Sequence, residues 1–252
     1  MTKILLLIRR HASLDHDSFT ERLRGELAPM TLATLPSLRG LASYVAGEQI
    51  PMIRGGRGFG AATDAIFALS LDPADGELET LSRLGTRFDS PAASGNWSAL
   101  LAELSSTLDA YAVDEVSHWS CARTWPDGER SPGFKMMAFT RRQAGLLREE
   151  FQRHYRDIHA PLAREHHPAL WSYRQNFVRA KLTPDAPSLD CMAEMHFRSV
   201  EDLHDGFYAT GKSAGIIAKD VAKFMDQRNV RLASVDEVIH LSPKRAEQPP
   251  HS

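Results

Sequence analysis

His159 follows Tyr155 by one helical turn in the run FQRHYRDIHAPLA, Phe151 to Ala163, and the two could do acid–base chemistry together. Residues four apart on a helix are neighbours, so an imidazole and a phenol would share one side. Phe151, Tyr155, Ile158 and Leu162 fall at i, i+4, i+7 and i+11, which predicts a helix over roughly Arg148–Ala163 with a single apolar stripe. At 100° per residue, His159 stands about 60° from the centre of that stripe, at the edge of the buried face. Imidazole there loses hydration unless a partner offsets the cost. Burial also favours the neutral ring, the form a general base needs. The competing reading is a histidine satisfied by one hydrogen bond at a helix end. For Tyr155 the competing reading is core packing; as a working group its hydroxyl would orient a substrate oxygen or donate a proton.

A second set of polar groups sits on a strand. From Asp190 to Phe197, alternation puts Cys191, Ala193, Met195 and Phe197 on one face and Asp190, Met192, Glu194 and His196 on the other. Glu194 and His196 could orient a substrate or relay a proton, with Met192 beside them; a solvated strand face is the alternative. In the stretch YRQNFV, Tyr173 is taken to face the pocket and Asn176 is left open. Phe139 and Arg141 complete the candidate substrate contacts. A guanidinium makes bidentate pairs with carboxylates, although paired arginines at strand ends also have a structural reading.

The elements that must hold these groups occur twice. KILLLIRR, Lys3–Arg10, is answered by KMMAFTRR, Lys135–Arg142, and a gap-free comparison of positions 3–38 with 135–170 finds 11 identities. VDEVSHW at Val113–Trp119 likewise answers VDEVIHL at Val235–Leu241. In the second copy the strand Lys135–Thr140 leads to the helix. Pro168 then breaks the chain, Trp171–Val178 and Asp190–Phe197 read as strands, helical segments run from about Val200 to Met225, and a last strand lies near Val235–Leu241. The order β-α-β-β-α-β is the ferredoxin-like unit. Two such units can cover each other's bare sheet faces, which gives the duplication a physical purpose. The expected organisation is a first repeat at 1–119, a linker at 120–133, a second repeat at 134–243 and a tail at 244–252. The first repeat has Leu23 and Leu27 where the second has Tyr155 and His159, and Ala68 and Ser70 opposite Glu194 and His196. The candidate site is therefore placed in the second half.

The pattern carried by Phe151, Tyr155, His159, Pro161 and Leu162, followed by Tyr173–Val178, resembles the EthD family of dimeric α+β barrels. The resemblance is strong in the second half and weak in the first. It implies an α+β fold in which two ferredoxin-like repeats set their antiparallel sheets face to face as a barrel. Similar barrels include decarboxylases, dehydratases and cyclases acting on aromatic or polyketide-like molecules, often without a cofactor. Others bind haem or use oxygen. The expectation drawn from this is a cofactor-independent lyase of aromatic-compound metabolism, with His159 as acid/base and a hydrophobic or aromatic substrate. A haem-linked or oxygen-using enzyme, with a histidine as axial ligand, is the first alternative. A non-catalytic protein sheltering a hydrophobic ligand is the second.

Composition narrows the partners. A net charge of −2 gives no reason to expect nucleic acid or an anionic membrane. The apolar run Ile4–Ile8 is too short for a signal-peptide core or a membrane span, so a cytoplasmic protein is expected. Cys121 and Cys191 sit at non-matching places, which argues against a disulfide framework. His166 and His167 in REHHP lack a spaced third ligand, so no metal is expected there and a solvated loop is. GGRGFG, Gly55–Gly60, lacks phosphate-loop spacing and precedes a strand, Asp64–Leu71, so it reads as a hairpin connection, as does the loop Arg83–Ser98. Two repeats in one chain already supply the pairing that a barrel needs; a further homodimer stays open.

Overall fold

In the computed structural model the described residues are 2–47, 63–72, 74–85 and 96–242. The hairpin connection at Gly55–Gly60, the middle of the Arg83–Ser98 loop and the tail lie outside them. Both halves run strand, helix, two strands, helix, strand. The first comprises β1 (Thr2–Arg10), α1 (His16–Arg22), a π turn (Leu23–Leu27), α2 (Ala28–Thr34), β2 (Gly40–Ala46), β3 (Ala65–Ser70), α3 (Glu77–Arg83), α4 (Asn96–Leu104) and β4 (Ser105–Trp119). The second comprises β5 (Phe134–Thr140), α5 (Arg148–His154), a π turn (Tyr155–His159), α6 (Ala160–His166), β6 (Ser172–Lys181), β7 (Cys191–Phe197), α7 (Val200–Gly206), α8 (Gly211–Phe224) and β8 (Arg231–Leu241).

The eight strands close into an antiparallel barrel in the order β1-β3-β2-β8-β5-β7-β6-β4. The halves join at their sheet edges, β2 to β8 and β4 to β6. Closure leaves no free strand edge, which removes the usual route to edge-to-edge aggregation. Alternation then sorts the side chains. Leu5, Leu7, Tyr44, Ile66, Tyr111, Met137, Phe139, Val178, Met192 and Val235 form one cluster drawn from all eight strands, so they fill the lumen. The odd-even partners face outward under helices: Ile4, Leu6 and Ile8 beneath α1, the first π turn and α4, and Ala138, Phe177 and Ala193 beneath Phe151, Tyr155 and Phe224.

The two π turns occupy matching places, and proline explains them. Pro29 and Pro161 have no N–H to give the carbonyl four residues back, and their rings crowd it. Widening the preceding turn relieves this, so the N–H of Ala28 bonds to the Leu23 carbonyl and that of Ala160 to the Tyr155 carbonyl. The extra residue shifts the helical phase. Ile158, expected in the buried stripe, is 47% exposed, whereas His159, expected at its edge, is buried.

The linker does more than connect. Residues 120–133 fold back over one end of the barrel, where Ser131 donates to Glu237 at 2.6 Å and His196 Nε2 meets the Pro132 carbonyl at 2.8 Å. Gly133 makes this return possible. Its φ is +81°, and a Cβ there would lie 2.3 Å from the Phe197 carbonyl oxygen. Gly133→Ala is therefore expected to lose more than about 1 kcal/mol of stability, read from the urea midpoint. An unchanged midpoint would contradict this placement.

Candidate functional site

The sheet divides the sequence candidates into two groups. Glu194, His196, Met192, Phe139 and Arg141 alternate into the lumen, while His159, Tyr155 and Tyr173 lie on the outer side beneath the helices. The expectation of one pocket lined by His159, Tyr173, Glu194 and His196 is thus corrected. The reason is the period of two along β6. Register sends Tyr173 and Gln175 outward with Phe177, and Arg174 and Asn176 inward opposite Glu194 and Met192.

The lumen at the end covered by the linker holds a buried ionic cluster. Lys3 Nζ lies 2.8 Å from Glu115, and Lys135 Nζ lies 2.5 Å from Glu237. These are the first and last strands of each half, so each contributes one lysine–glutamate pair. Glu194 sits between them, 3.3 Å from Lys3 and 3.5 Å from Lys135, and accepts hydrogen bonds from Asn176 at 3.0 Å and Tyr44 at 3.2 Å. Arg174 completes a balanced set of three cations and three anions. Burial alone would raise the Glu194 carboxyl, but Lys3, Lys135 and Arg174 outweigh it and hold it well below the usual carboxylate range. A carboxylate so committed is poorly placed to move a proton, so the catalytic expectation for Glu194 gives way to an architectural one. His196, its imidazole pushed down by burial and by Lys135, packs between Trp125 and Trp171 at the same end. Met192 packs in the lumen cluster with Phe139.

Beneath the helices the second group forms a different centre. His159 Nδ1 stands 3.0 Å from Asp220 Oδ2 on α8, and Asp220 Oδ1 is 2.9 Å from His154 Nε2. Asp220 is 2% exposed. Tyr155 and Phe224 ring the imidazole at centroid distances of 5.3 and 5.2 Å. Burial pushes the His159 pKa down and Asp220 opposes it, with a net lowering, so the ring is neutral at pH 7. Nδ1–H donation to Asp220 leaves Nε2 with its lone pair, and among the described residues it has no hydrogen-bond partner. Beside it, His118 Nε2 lies 2.8 Å from Gln175 Oε1, and Gln175 donates to the Tyr173 hydroxyl at 3.1 Å and to the Tyr155 carbonyl at 3.2 Å. Burial raises the Tyr155 hydroxyl well above its ordinary range, which keeps it protonated.

Asp220, His154, His118 and Gln175 were not singled out from the sequence, and the structure supplies the alignment that relates Asp220 to the first half. The N–H of His11 bonds to the Leu104 carbonyl and that of Gln143 to the Phe224 carbonyl, which sets α4 against α8 with Leu100 matching Asp220. A leucine pair, Leu27 and Leu100, in one half is a histidine–aspartate pair in the other.

The paired arginines also separate by role. Arg10 N and Arg142 N donate to Asp64 and Asp190, each at 2.9 Å, so the second arginine of each pair pins the strand end. Arg141 instead lines a cavity. His167 corrects the solvated-loop reading of REHHP. It is 6% exposed, its Nδ1 is 2.5 Å from the Phe207 carbonyl, and burial lowers its pKa to about 4. Because the folded value lies below the unfolded value of about 6.5, the unfolded chain binds the extra proton between those limits. Stability is therefore full above pH 6.5 and falls as the pH drops towards 4, by about 3 kcal/mol from this residue. His167→Asn should flatten that part of the urea-midpoint profile; an unaltered profile would contradict the assignment.

Among the described residues no cluster of histidine, cysteine and carboxylate groups is arranged to hold a metal ion, and no helix is long and apolar enough to cross a membrane. Cys121 and Cys191 are free thiols.

Comparison with known proteins agrees with this geometry. The chain resembles the crystal structure of an anthrone oxidase-like protein, with a TM-score of 0.59, 6% identity and coverage of 98% of this chain and 96% of that one. It also resembles a provisionally named monooxygenase from Fusobacterium nucleatum subsp. nucleatum ATCC 25586, with a TM-score of 0.56, 9% identity and coverage of 94% and 93%. At such identities the likeness concerns the fold. No curated protein matches the sequence. Residues 143–228 match the EthD domain model, a span that contains His154, Tyr155, His159 and Asp220. The second half of the chain is thus similar to the EthD domain.

Proposed function

We propose that the chain is a proton-transfer enzyme of lyase type, acting without a cofactor on an apolar aromatic or polyketide-like molecule, with His159 as its base. The observation that carries this reading is the exchange of Leu27 and Leu100 for His159 and Asp220 at matching places of the two halves. An apolar contact would have packed there at no electrostatic cost, whereas a buried imidazole and carboxylate must be desolvated. The pair is arranged as a base and its orienting group. Asp220 fixes the Nδ1–H tautomer and stabilises the imidazolium once Nε2 has taken a proton. That proton would come from carbon next to a carbonyl and return to a leaving hydroxyl in a dehydration. In a decarboxylation, Nε2 would first take the proton of the substrate's carboxyl group and then deliver it to the carbon that carbon dioxide leaves. Tyr155 and Phe224 supply the apolar wall. On this reading residues 134–243 are the working repeat and residues 1–119 a repeat that has kept the frame and lost the chemistry.

The names of the structural neighbours point to oxidation, and a base that removes a proton from carbon would also begin such a reaction. The test is proton exchange in heavy water with a panel of β-keto acids and hydroxylated aromatic ketones, followed by mass spectrometry. Deuterium incorporation by the wild type and its loss in His159→Asn is expected. Equal exchange by both proteins, or exchange with none of the panel, would overturn the reading.

A further inference from the structure

The barrel lumen is not filled along its whole length. At the end opposite the ionic cluster, where β1 and β5 finish and β8 begins, a cavity of about 120 Å³ opens to solvent. Its apolar floor is Leu7, Tyr111 and Phe139, and Arg141, Arg231 and Asp109 stand on its wall. The alternation that turns Phe139 inward turns Arg141 inward as well, and the same period along β8 aligns Arg231 with Val235 and Glu237. Other arginines near the barrel ends are engaged: Arg10 with Asp64, and Arg142 and Arg179 with Asp190 and Glu77. Arg141 and Arg231 have no carboxylate within salt-bridge distance among the described residues. Two uncommitted guanidinium groups above an aromatic floor form a receptor for a flat anion.

We propose that the barrel mouth is a second ligand site, which binds a single-ring aromatic carboxylate with its ring on Phe139 and Tyr111 and its carboxylate between Arg141 and Arg231. The space is of the order that takes up a single ring, since a dry cavity of roughly 150 Å³ binds benzene. The carboxylate end would remain at the open side, where guanidinium forks match its geometry. Asp109 does not forbid an anion there. Burial and the neighbouring Asp185 push its carboxyl up. Lys181 also offsets it. The site lies across the sheet from His159 and stands independently of the reaction proposed for that residue.

Calorimetric titration of the full chain with benzoate tests this directly and reads binding, not turnover. Benzoate should bind, and benzamide, which has the same shape without the charge, should bind at least tenfold more weakly. Arg141→Ala and Arg231→Ala should each weaken benzoate by roughly ten- to a hundredfold, the usual worth of a charge-assisted hydrogen bond, and leave benzamide unchanged. Ala233→Leu, which fills the cavity, should abolish both. Phenyl phosphate separates the two anion chemistries, and tighter binding of it than of benzoate would overturn the carboxylate assignment. Failure of benzoate to bind, equal affinity in the arginine variants, or undiminished binding in Ala233→Leu would overturn the site.

Discussion

Glu194→Ala is expected to cost about 3–5 kcal/mol of folding stability, the range for breaking a buried charge pair by removing one partner. Glu194 is 2% exposed and stands between the buried Lys3 and Lys135, and its removal leaves these two and the half-buried Arg174 facing two anions. The hydroxyl of Tyr44 and the amide of Asn176 lose their acceptor at the same time. The companion variant makes the argument specific. Arg174 pairs across β6 and β7 with Glu194 in the position where Ala42 pairs with Ala68 in the first half. Arg174→Ala/Glu194→Ala restores the charge balance and should be more stable than Glu194→Ala alone, although it removes more atoms. Urea unfolding of the wild type, Glu194→Ala, Arg174→Ala and the double variant decides the matter. Strictly additive losses would show that the charges do not act as one cluster.

The second large effect concerns His159. His159→Asn should lower turnover of any substrate that exchanges a proton by roughly 10²–10⁴, the usual contribution of a positioned acid–base group. His159→Leu alone, although leucine is the residue of the first half, should also destabilise the fold by about 1–3 kcal/mol. It leaves Asp220 buried with one hydrogen-bond partner fewer. The double variant His159→Leu/Asp220→Leu installs the two leucines that the first half keeps in its core at these places, Leu27 and Leu100, and should fold at least as firmly as the wild type while remaining inactive. An active double variant would remove this pair from the chemistry. One that fails to fold would make the pair structural.

Much of the frame was legible from the sequence. The repeated strands, the element order and the inward face of β7 all follow from period-two alternation and from eleven identities. The pairing of Lys3 with Glu115 and Lys135 with Glu237 could have been anticipated, because both members of each pair recur in the repeat. The site was less legible for two physical reasons. First, the π turn before Pro161 rotates the helix by one residue. A uniform 3.6-residue wheel therefore put Ile158 inside and His159 at the edge, and the structure reverses this. Second, Tyr173 and Asn176 differ in parity, and only the register of β6 against β7 shows that the polar amide faces the lumen and the tyrosine does not. Asp220 lies 61 residues from His159, a separation at which composition carries no signal.

The proposed chemistry requires one imidazole, that of His159, to be neutral, protonated at Nδ1 and open at Nε2. Nitrogen-15 NMR of selectively labelled histidine, read through its long-range couplings to the ring carbon-bound protons, reports all three properties for His159. The expected result is the Nδ1–H tautomer at pH 7, with protonation only below the ordinary histidine range near 6.5. In Asp220→Asn the tautomer preference should weaken and the titration should move further down, because the carboxylate that favours the imidazolium is gone. An Nε2–H tautomer, or an imidazolium already formed at pH 7, would contradict the assignment of His159 as the base.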